Sequence, residues 1–186
     1  MVILASASPR RRELLKEITT DFEIITADID EKTSYILSPL DAVRDIAKRK
    51  GEKIHLEHKD DLVISADTIV VHKNKIIGKP IDEEDAKNIL KELSDEMHEV
   101  ITAYCLFKKD KFIEKHVISQ VYFYPLSEKM IEEYIATGSP MDKAGAYGVQ
   151  DNEKYPIIKK VIGSITNVIG FPIEEIKKDF VEIEND

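Results

Sequence analysis

The 186-residue chain has one cysteine, Cys105, and no tryptophan. A single thiol excludes an intramolecular disulfide framework and a cysteine-cluster zinc site. No apolar run approaches the ~18 residues of a membrane span. Met1-Val2-Ile3-Leu4-Ala5 is too short for a secretory signal, and Arg10-Arg11-Arg12 follow it on the wrong side. A soluble protein of the reducing cytoplasm is the expectation. Positive charge is scarce: 27 Lys plus Arg face 36 Asp plus Glu, for a formal charge of −9. That field repels nucleic-acid polymers and anionic membranes, yet a local basic site can still hold a small anion. Gly and Pro, 7 of each, are scattered as punctuation, with no linker, repeat or low-complexity tract between them. Missing too are the Gly-x-x-x-x-Gly-Lys-Ser/Thr phosphate loop, the Gly-x-Gly-x-x-Gly turn, His-Glu-x-x-His and the Gly-x-Ser-x-Gly elbow. Their absence leaves the large nucleotide-binding and serine-hydrolase classes unsupported.

What is present suffices for a core. Hydrophobic residues make up 42% of the chain, which with 34% charged residues argues against wholesale disorder. Apolar segments alternate between strand and helix patterns, so the class is α/β and the length fits one domain over 1–186. Val2–Ala5 reads as a short buried strand. Ser8 then caps a helix with Pro9 at its first position, and Phe22–Ile25 reads as a second strand. Thr26–Leu37 is a polar loop holding Asp28, Asp30 and Glu31. Ser38-Pro39 opens a helix with Leu40, Val43, Ile46 and Ala47 on one face and Lys50 on the same side one turn later. Leu62–Ala66 is a strong β run ending at Asp67-Thr68, and Ile69–His72 extends it. A turn and Gly78-Lys79-Pro80 follow, then a helix over Asp82–Leu93. Val100–Phe107 and Phe112–Tyr124 read as an antiparallel hairpin. Ser127 caps a helix that Gly138 ends, Ile157–Ile162 reads as the last strand and Pro172–Phe180 as the last helix.

Three segments join a strand end or tight turn to charge. In Ser6-Ala7-Ser8-Pro9-Arg10-Arg11, a helix N-terminus offers free backbone N–H groups, two hydroxyls and bidentate guanidinium donors to an anion. Arginine in a first turn opposes the helix dipole, so stability alone does not explain it. The same segment also fits a capped surface helix. Asp67-Thr68 places an acid at the sheet rim, where desolvation raises its pKa and a cation opposes that. It suits a general base or a metal ligand, and equally a turn aspartate bonding its own backbone. Asp142-Lys143-Ala144-Gly145-Ala146-Tyr147-Gly148-Val149-Gln150 combines small residues, which let backbone approach a ligand, with a charge, a ring and an amide. A surface loop is the alternative. Cys105 reads as a core residue in a strand, and His72, His98 and His116 read as strand residues with structural roles.

These segments, in this order, resemble the Maf family of nucleoside triphosphate pyrophosphatases almost end to end. The marks are Ala5-Ser6-Ala7-Ser8-Pro9-Arg10-Arg11, Asp30-Glu31, Ala66-Asp67-Thr68, Gly78-Lys79-Pro80, His98-x-Val100-Ile101-Thr102, Pro140 to Gln150, and Asn167-Val168-x-Gly170-Phe171-Pro172. The resemblance implies a mixed twisted sheet flanked by helices, with two lobes, a central cleft and kinship to the inosine triphosphate pyrophosphatase fold. It implies hydrolysis of a nucleoside triphosphate to monophosphate and pyrophosphate, with Mg²⁺ or Mn²⁺ and commonly in a homodimer. Arg10-Arg11 and Asp142–Gly148 look like the branch acting on dTTP and UTP, including modified uridine triphosphates. Two positions depart from the pattern: Asp95 follows Leu93-Ser94, and Asp151 follows Gln150, where the family usually has glycine.

Carried over position by position, the resemblance makes Asp67, Glu31, Lys79 and Lys50 catalytic, with Glu31 and Asp67 as metal ligands. Ser6, Ser8 and Arg11 would bind phosphate, while Arg10, Thr68 and Gln150 would read the base. Phosphoryl transfer asks for charge neutralisation and positioning, which these side chains supply. Asp67 is open as base, ligand or both. House-cleaning of nucleotide pools is the implied role; a nucleotide-binding regulator of cell division, with incidental catalysis, is the alternative.

Overall fold

The computed structural model describes residues 1–185. In chain order the strands and helices are β1 (Val2–Leu4), α1 (Pro9–Leu15), β2 (Glu23–Ile24), α2 (Pro39–His55), β3 (Leu62–His72), β4 (Lys75–Ile77), α3 (Glu83–Leu93), β5 (Met97–Lys108), β6 (Lys111–Phe123), α4 (Glu128–Ala136), β7 (Ile158–Ile162), α5 (Ile165–Ile169) and α6 (Ile173–Asn185). The strands form one mixed sheet ordered β2-β1-β3-β5-β6-β7, with β4 added beside β3. β1 pairs in parallel with β2 and β3, whereas β3–β4 and β6–β7 are antiparallel. The expected α/β class with a mixed sheet flanked by helices is therefore the class observed. Among the described residues no helix is long and apolar enough to cross a membrane.

Local chemistry sets the helix starts. The side chains of Ser8, Ser38, Asp82 and Ser127 each accept a backbone N–H three residues on, satisfying a donor that has no partner inside the helix. Gly138, at φ 74°, takes the left-handed turn after α4. The β3–β4 hairpin turns through Lys73 and Asn74, both at positive φ (48° and 64°), as a two-residue hairpin loop requires. β3 runs unbroken from Leu62 to His72, so Asp67-Thr68 lie in mid-strand rather than at the sheet rim where the sequence reading put them; past them the strand continues and pairs with β4 from Val70 to His72. Three further stretches differ from the sequence reading. The loop after Asp30 contains a 3-10 helix, Glu31–Ile36, started by the Asp30 side chain. The long irregular segment holds three 3-10 turns: Ser139–Asp142, Ala144–Ala146 and Val149–Asp151. Helix α5 had no expectation, because five residues are too few to show a periodicity.

The chain divides into two compact units. The first comprises Met1–Thr68, Thr102–Val117 and Thr166–Asp186. On one side of its strands Leu4, Leu62, Ile64, Tyr104 and Leu106 pack with Leu15 of α1, with Phe171 and with Ile176 and Ile183 of α6. On the other, α2 buries Ala42, Val43, Ile46 and Ala47. The second unit comprises Ile69–Ile101 and Ile118–Ile165. There α3 buries Ala86, Ile89, Leu90 and Leu93, and α4 buries Ile131, Tyr134 and Ile135. His98, Phe123 and Tyr147 form an edge-to-face trio with centroids 4.8–5.2 Å apart. Cys105 is buried in β5, and the buried His98 bonds the Tyr147 hydroxyl at 2.6 Å.

Candidate active site

Side chains alternate along a strand, so Ser65 and Asp67 of β3 share a face. Ala47, Lys50 and Gly51 share a face of α2 by helical spacing. Ser65 Oγ donates to the Ala47 carbonyl at 2.7 Å, which docks the helix on the strand. Gly51 permits the closeness: a Cβ there would lie 2.2 Å from Phe107 Cε2 and 2.5 Å from Ser65 Oγ. Lys50, next in the chain, then reaches Asp67, with Nζ 2.9 Å from Oδ1. The same ammonium lies 2.7 Å from Glu31 Oε1.

Glu31 owes its place to α2. Arg49 Nη1 donates to the Asp30 carbonyl at 3.1 Å, and Lys53 Nζ to the Asp28 carbonyl at 2.5 Å. Ser34 Oγ donates to Asp45 Oδ2 at 2.6 Å, Arg49 Nε donates to the same oxygen at 2.8 Å, and Arg49 Nη2 donates to Ser34. The acidic loop is thus tied to the helix that carries Lys50. The Asp45/Arg49 spacing of four was the one sequence signal for this network.

Arg11 approaches from the opening helix. Its Nε donates to the Gly170 carbonyl at 2.9 Å, and Nη1 to Ser6 Oγ at 3.1 Å and to the Ala66 carbonyl at 2.8 Å. Nη2 donates to Thr68 Oγ1 at 3.1 Å. These bonds use four of the five guanidinium hydrogens, so Arg11 pins the opening loop, the middle of β3 and the Gly170 turn together. Thr68 is equally engaged, since its hydroxyl also meets Thr102 Oγ1 at 2.9 Å. Ser8 Oγ accepts the Arg11 N–H at 3.4 Å, and Ser6 Oγ accepts the Ser8 N–H at 3.3 Å.

Burial pushes the Asp67 carboxyl above the usual range, against the opposing pull of Lys50 and Arg11. Burial likewise lowers Arg11, while Asp67 holds it up. The Tyr35 phenol is raised by burial and then by the charges of Glu31 and Asp67, so it lies within their field. A lone tyrosine in a polar loop gave no sequence signal.

Ser6, Ser8, Arg11, Glu31, Lys50, Asp67 and Thr68 therefore gather in the first unit, which also holds the half-buried Arg10. Lys79 and Gln150 belong to the second unit and are exposed there. Within that unit the Gly145 N–H donates to the Gly78 carbonyl at 3.1 Å, joining the turn of Lys79 to the loop of Gln150. Among the described residues no three His, Cys, Asp or Glu side chains gather as a metal-holding group. Two carboxylate oxygens nevertheless converge within 2.9 Å of one cation, the Lys50 ammonium. A pair of oxygen donors aimed at one positive charge fits a hard divalent ion.

The family model described as Maf-like protein matches residues 1–182. The chain is 43% identical over 182 residues to the dTTP/UTP pyrophosphatase of Aquifex aeolicus, covering 98% of this chain and 95% of that one. It is 40% identical over 184 residues to the dTTP/UTP pyrophosphatase of Geobacter sulfurreducens, covering 98% and 96%. Among solved structures it resembles a HAM1 protein from Coxiella burnetii (TM-score 0.50, 14% identity, 97% of this chain and 98% of that one). The Ham1 protein of Staphylococcus aureus is similar to the same degree (TM-score 0.50, 12% identity, 98% of each chain). At such identities these two likenesses concern the fold.

Proposed function

The chain belongs to the Maf-like protein family, and from that premise we propose that it hydrolyses nucleoside triphosphates, with dTTP and UTP preferred, to the monophosphate and pyrophosphate. Modified uridine triphosphates fall within the same class. The observation that carries this reading is the Lys50 ammonium seated between Glu31 and Asp67 beside the pinned Arg11. Acids and cations meet around the middle of β3, as a polyanionic substrate that must be held and attacked by water requires.

In this proposal Lys50 and Lys79 neutralise phosphate charge. The remaining Arg11 hydrogen and the hydroxyls of Ser6 and Ser8 bind phosphoryl oxygens. Asp67 orients water toward the α-phosphorus and takes its proton. The new bond joins water oxygen to the α-phosphorus, the bridge to the β-phosphate breaks, and pyrophosphate leaves with the bond's electrons. A carboxyl raised by burial is the better base near neutral pH. Glu31 and Asp67 are the residues to hold Mg²⁺ or Mn²⁺, which when bound supplies charge neutralisation and polarises phosphoryl oxygens. Arg10, Thr68 and Gln150 read the base, whose carbonyls and N–H match a guanidinium and an amide. A homodimer working in the cytoplasm to clear unwanted nucleotides completes the reading.

The test is a panel of dTTP, UTP, CTP and GTP, with and without Mg²⁺ or Mn²⁺, resolved for monophosphate and pyrophosphate. Pyrophosphate release with dTTP and UTP foremost is expected. Orthophosphate as the product, or a purine preference, would overturn it.

A further inference from the structure

Asp151 stands where the resembled family usually has glycine, and one of its carboxylate oxygens accepts two hydroxyls. Oδ2 accepts the Tyr134 hydroxyl at 2.7 Å and the Ser139 hydroxyl at 2.7 Å. The Tyr134 hydroxyl in turn accepts the Gly148 N–H at 3.1 Å. Tyr134 is fully buried on α4 and its ring packs on Tyr155, with centroids 5.1 Å apart, so the phenol is a fixed point. One hydroxyl therefore anchors the chain two residues before Gln150 and one residue after it. Gln150 itself is exposed at the crest of the turn between.

The rest of the loop is tied to the same node. Lys143 Nζ donates to the Ser139 carbonyl at 2.5 Å and to the Ser139 hydroxyl at 3.1 Å. A Cβ on Gly148 would lie 2.7 Å from Lys143 Cε and 3.3 Å from Gln150 Oε1, so glycine lets the lysine stem and the glutamine amide close over the backbone. Burial and then donation to Asp151 push the Tyr134 phenol far above its ordinary range, so it keeps its proton as a donor.

We propose that Asp151 and Tyr134 are positioning residues that clamp the Val149–Asp151 turn and so present the Gln150 amide to the nucleotide base. This rests on the reading of Gln150 as a base contact. Hydrogen bonds to a charged acceptor are among the stronger ones, and two converge on a single oxygen here. The Asp151 clamp does for this turn what a glycine cannot, since glycine carries no acceptor to hold the phenol.

The test compares Asp151→Ala, Asp151→Asn and Gln150→Ala with the wild type, using UTP and CTP turnover, thermal melting and deuterium exchange of the 143–152 backbone. For Asp151→Ala the exchange rises, KM for UTP rises about tenfold with kcat within about twofold, and the UTP-over-CTP ratio narrows. Asp151→Asn keeps an acceptor oxygen and recovers most of the difference. Gln150→Ala narrows the same ratio without faster exchange. Unchanged exchange and ratio in Asp151→Ala, with a narrowed ratio in Gln150→Ala, overturn the clamp alone. An unchanged ratio in Gln150→Ala overturns the base contact, and the clamp's purpose with it.

Discussion

Gly51→Ala tests whether the close approach of α2 to β3 is what assembles the site. The added Cβ would sit 2.2 Å from Phe107 Cε2 and 2.5 Å from Ser65 Oγ. Neither neighbour yields easily. The Phe107 ring lies between His55 and Phe112, at 5.5 and 4.8 Å, and Ser65 is held by its bond to the Ala47 carbonyl. Contact at an ordinary ~3.5 Å requires the helix to move outward by about 1 Å. Overpacking of this kind costs about 1–3 kcal/mol, and alanine returns about 1 kcal/mol in helix propensity. A net loss of up to about 2 kcal/mol lowers the melting midpoint by up to roughly 8 °C in a chain of this size. The same movement parts Lys50 from Asp67, because a 2.9 Å bond lengthened by about 1 Å is no longer a bond. A misplacement on that scale costs up to about 10²-fold in rate. The assay is pyrophosphate release measured well below the melting transition, beside the melting curve itself. A variant that melts at or above the wild-type midpoint with undiminished turnover would refute the reasoning.

Further predictions follow from other parts of the molecule. Asp67→Asn keeps the shape of the site and removes the proton acceptor, so turnover falls by about 10² or more while nucleotide affinity persists; titration calorimetry beside the rate assay checks this, and retained turnover removes Asp67 from the proposed role. Arg11→Lys keeps the charge but cannot span the four acceptors on Gly170, Ser6, Ala66 and Thr68. It should lower the urea midpoint by the equivalent of about 1–3 kcal/mol, and an unchanged midpoint would mean the pin is idle. Burial holds the His98 imidazole down at about 3, against an ordinary value of 6.5. The unfolded chain then binds a proton that the folded chain refuses, so this contribution is whole above pH 6.5 and is lost as pH falls toward 3. At pH 4.5 the loss is about 3 kcal/mol, and His98→Gln should flatten the acid limb of a urea-midpoint series by about that much. Parallel series for the two proteins would show that the imidazole is not the source.

The elements that were legible are those whose causes lie within a few residues. Ser8-Pro9, Ser38-Pro39 and Ser127 announced helix starts because a cap side chain bonds a backbone N–H three positions away. The strand over Leu62–His72 was legible from its apolar, β-branched composition, though not that Asp67 would fall in its middle, and Gly138 was legible from the left-handed turn it allows. The ordered motifs also sufficed for the family resemblance that the family model bears out. The 3-10 helix at Glu31–Ile36 was less accessible, since much of its support comes from Asp45 and Arg49 on another helix.

Composition, capping and order of motifs thus determined the α/β class, most element positions and the family. Tertiary structure alone decided that Lys50 would bridge Glu31 and Asp67, that Arg11 would spend most of its hydrogens on the protein, and that Asp151 would grip Tyr134. The reason is one of range. A cap or turn is a contact between near neighbours and is written in the local sequence, whereas these side chains meet only after a helix has settled on a strand or a loop has closed on itself. Whether they meet then depends on features such as the missing side chain at Gly51, whose effect appears only when Phe107 and Ser65 stand opposite it.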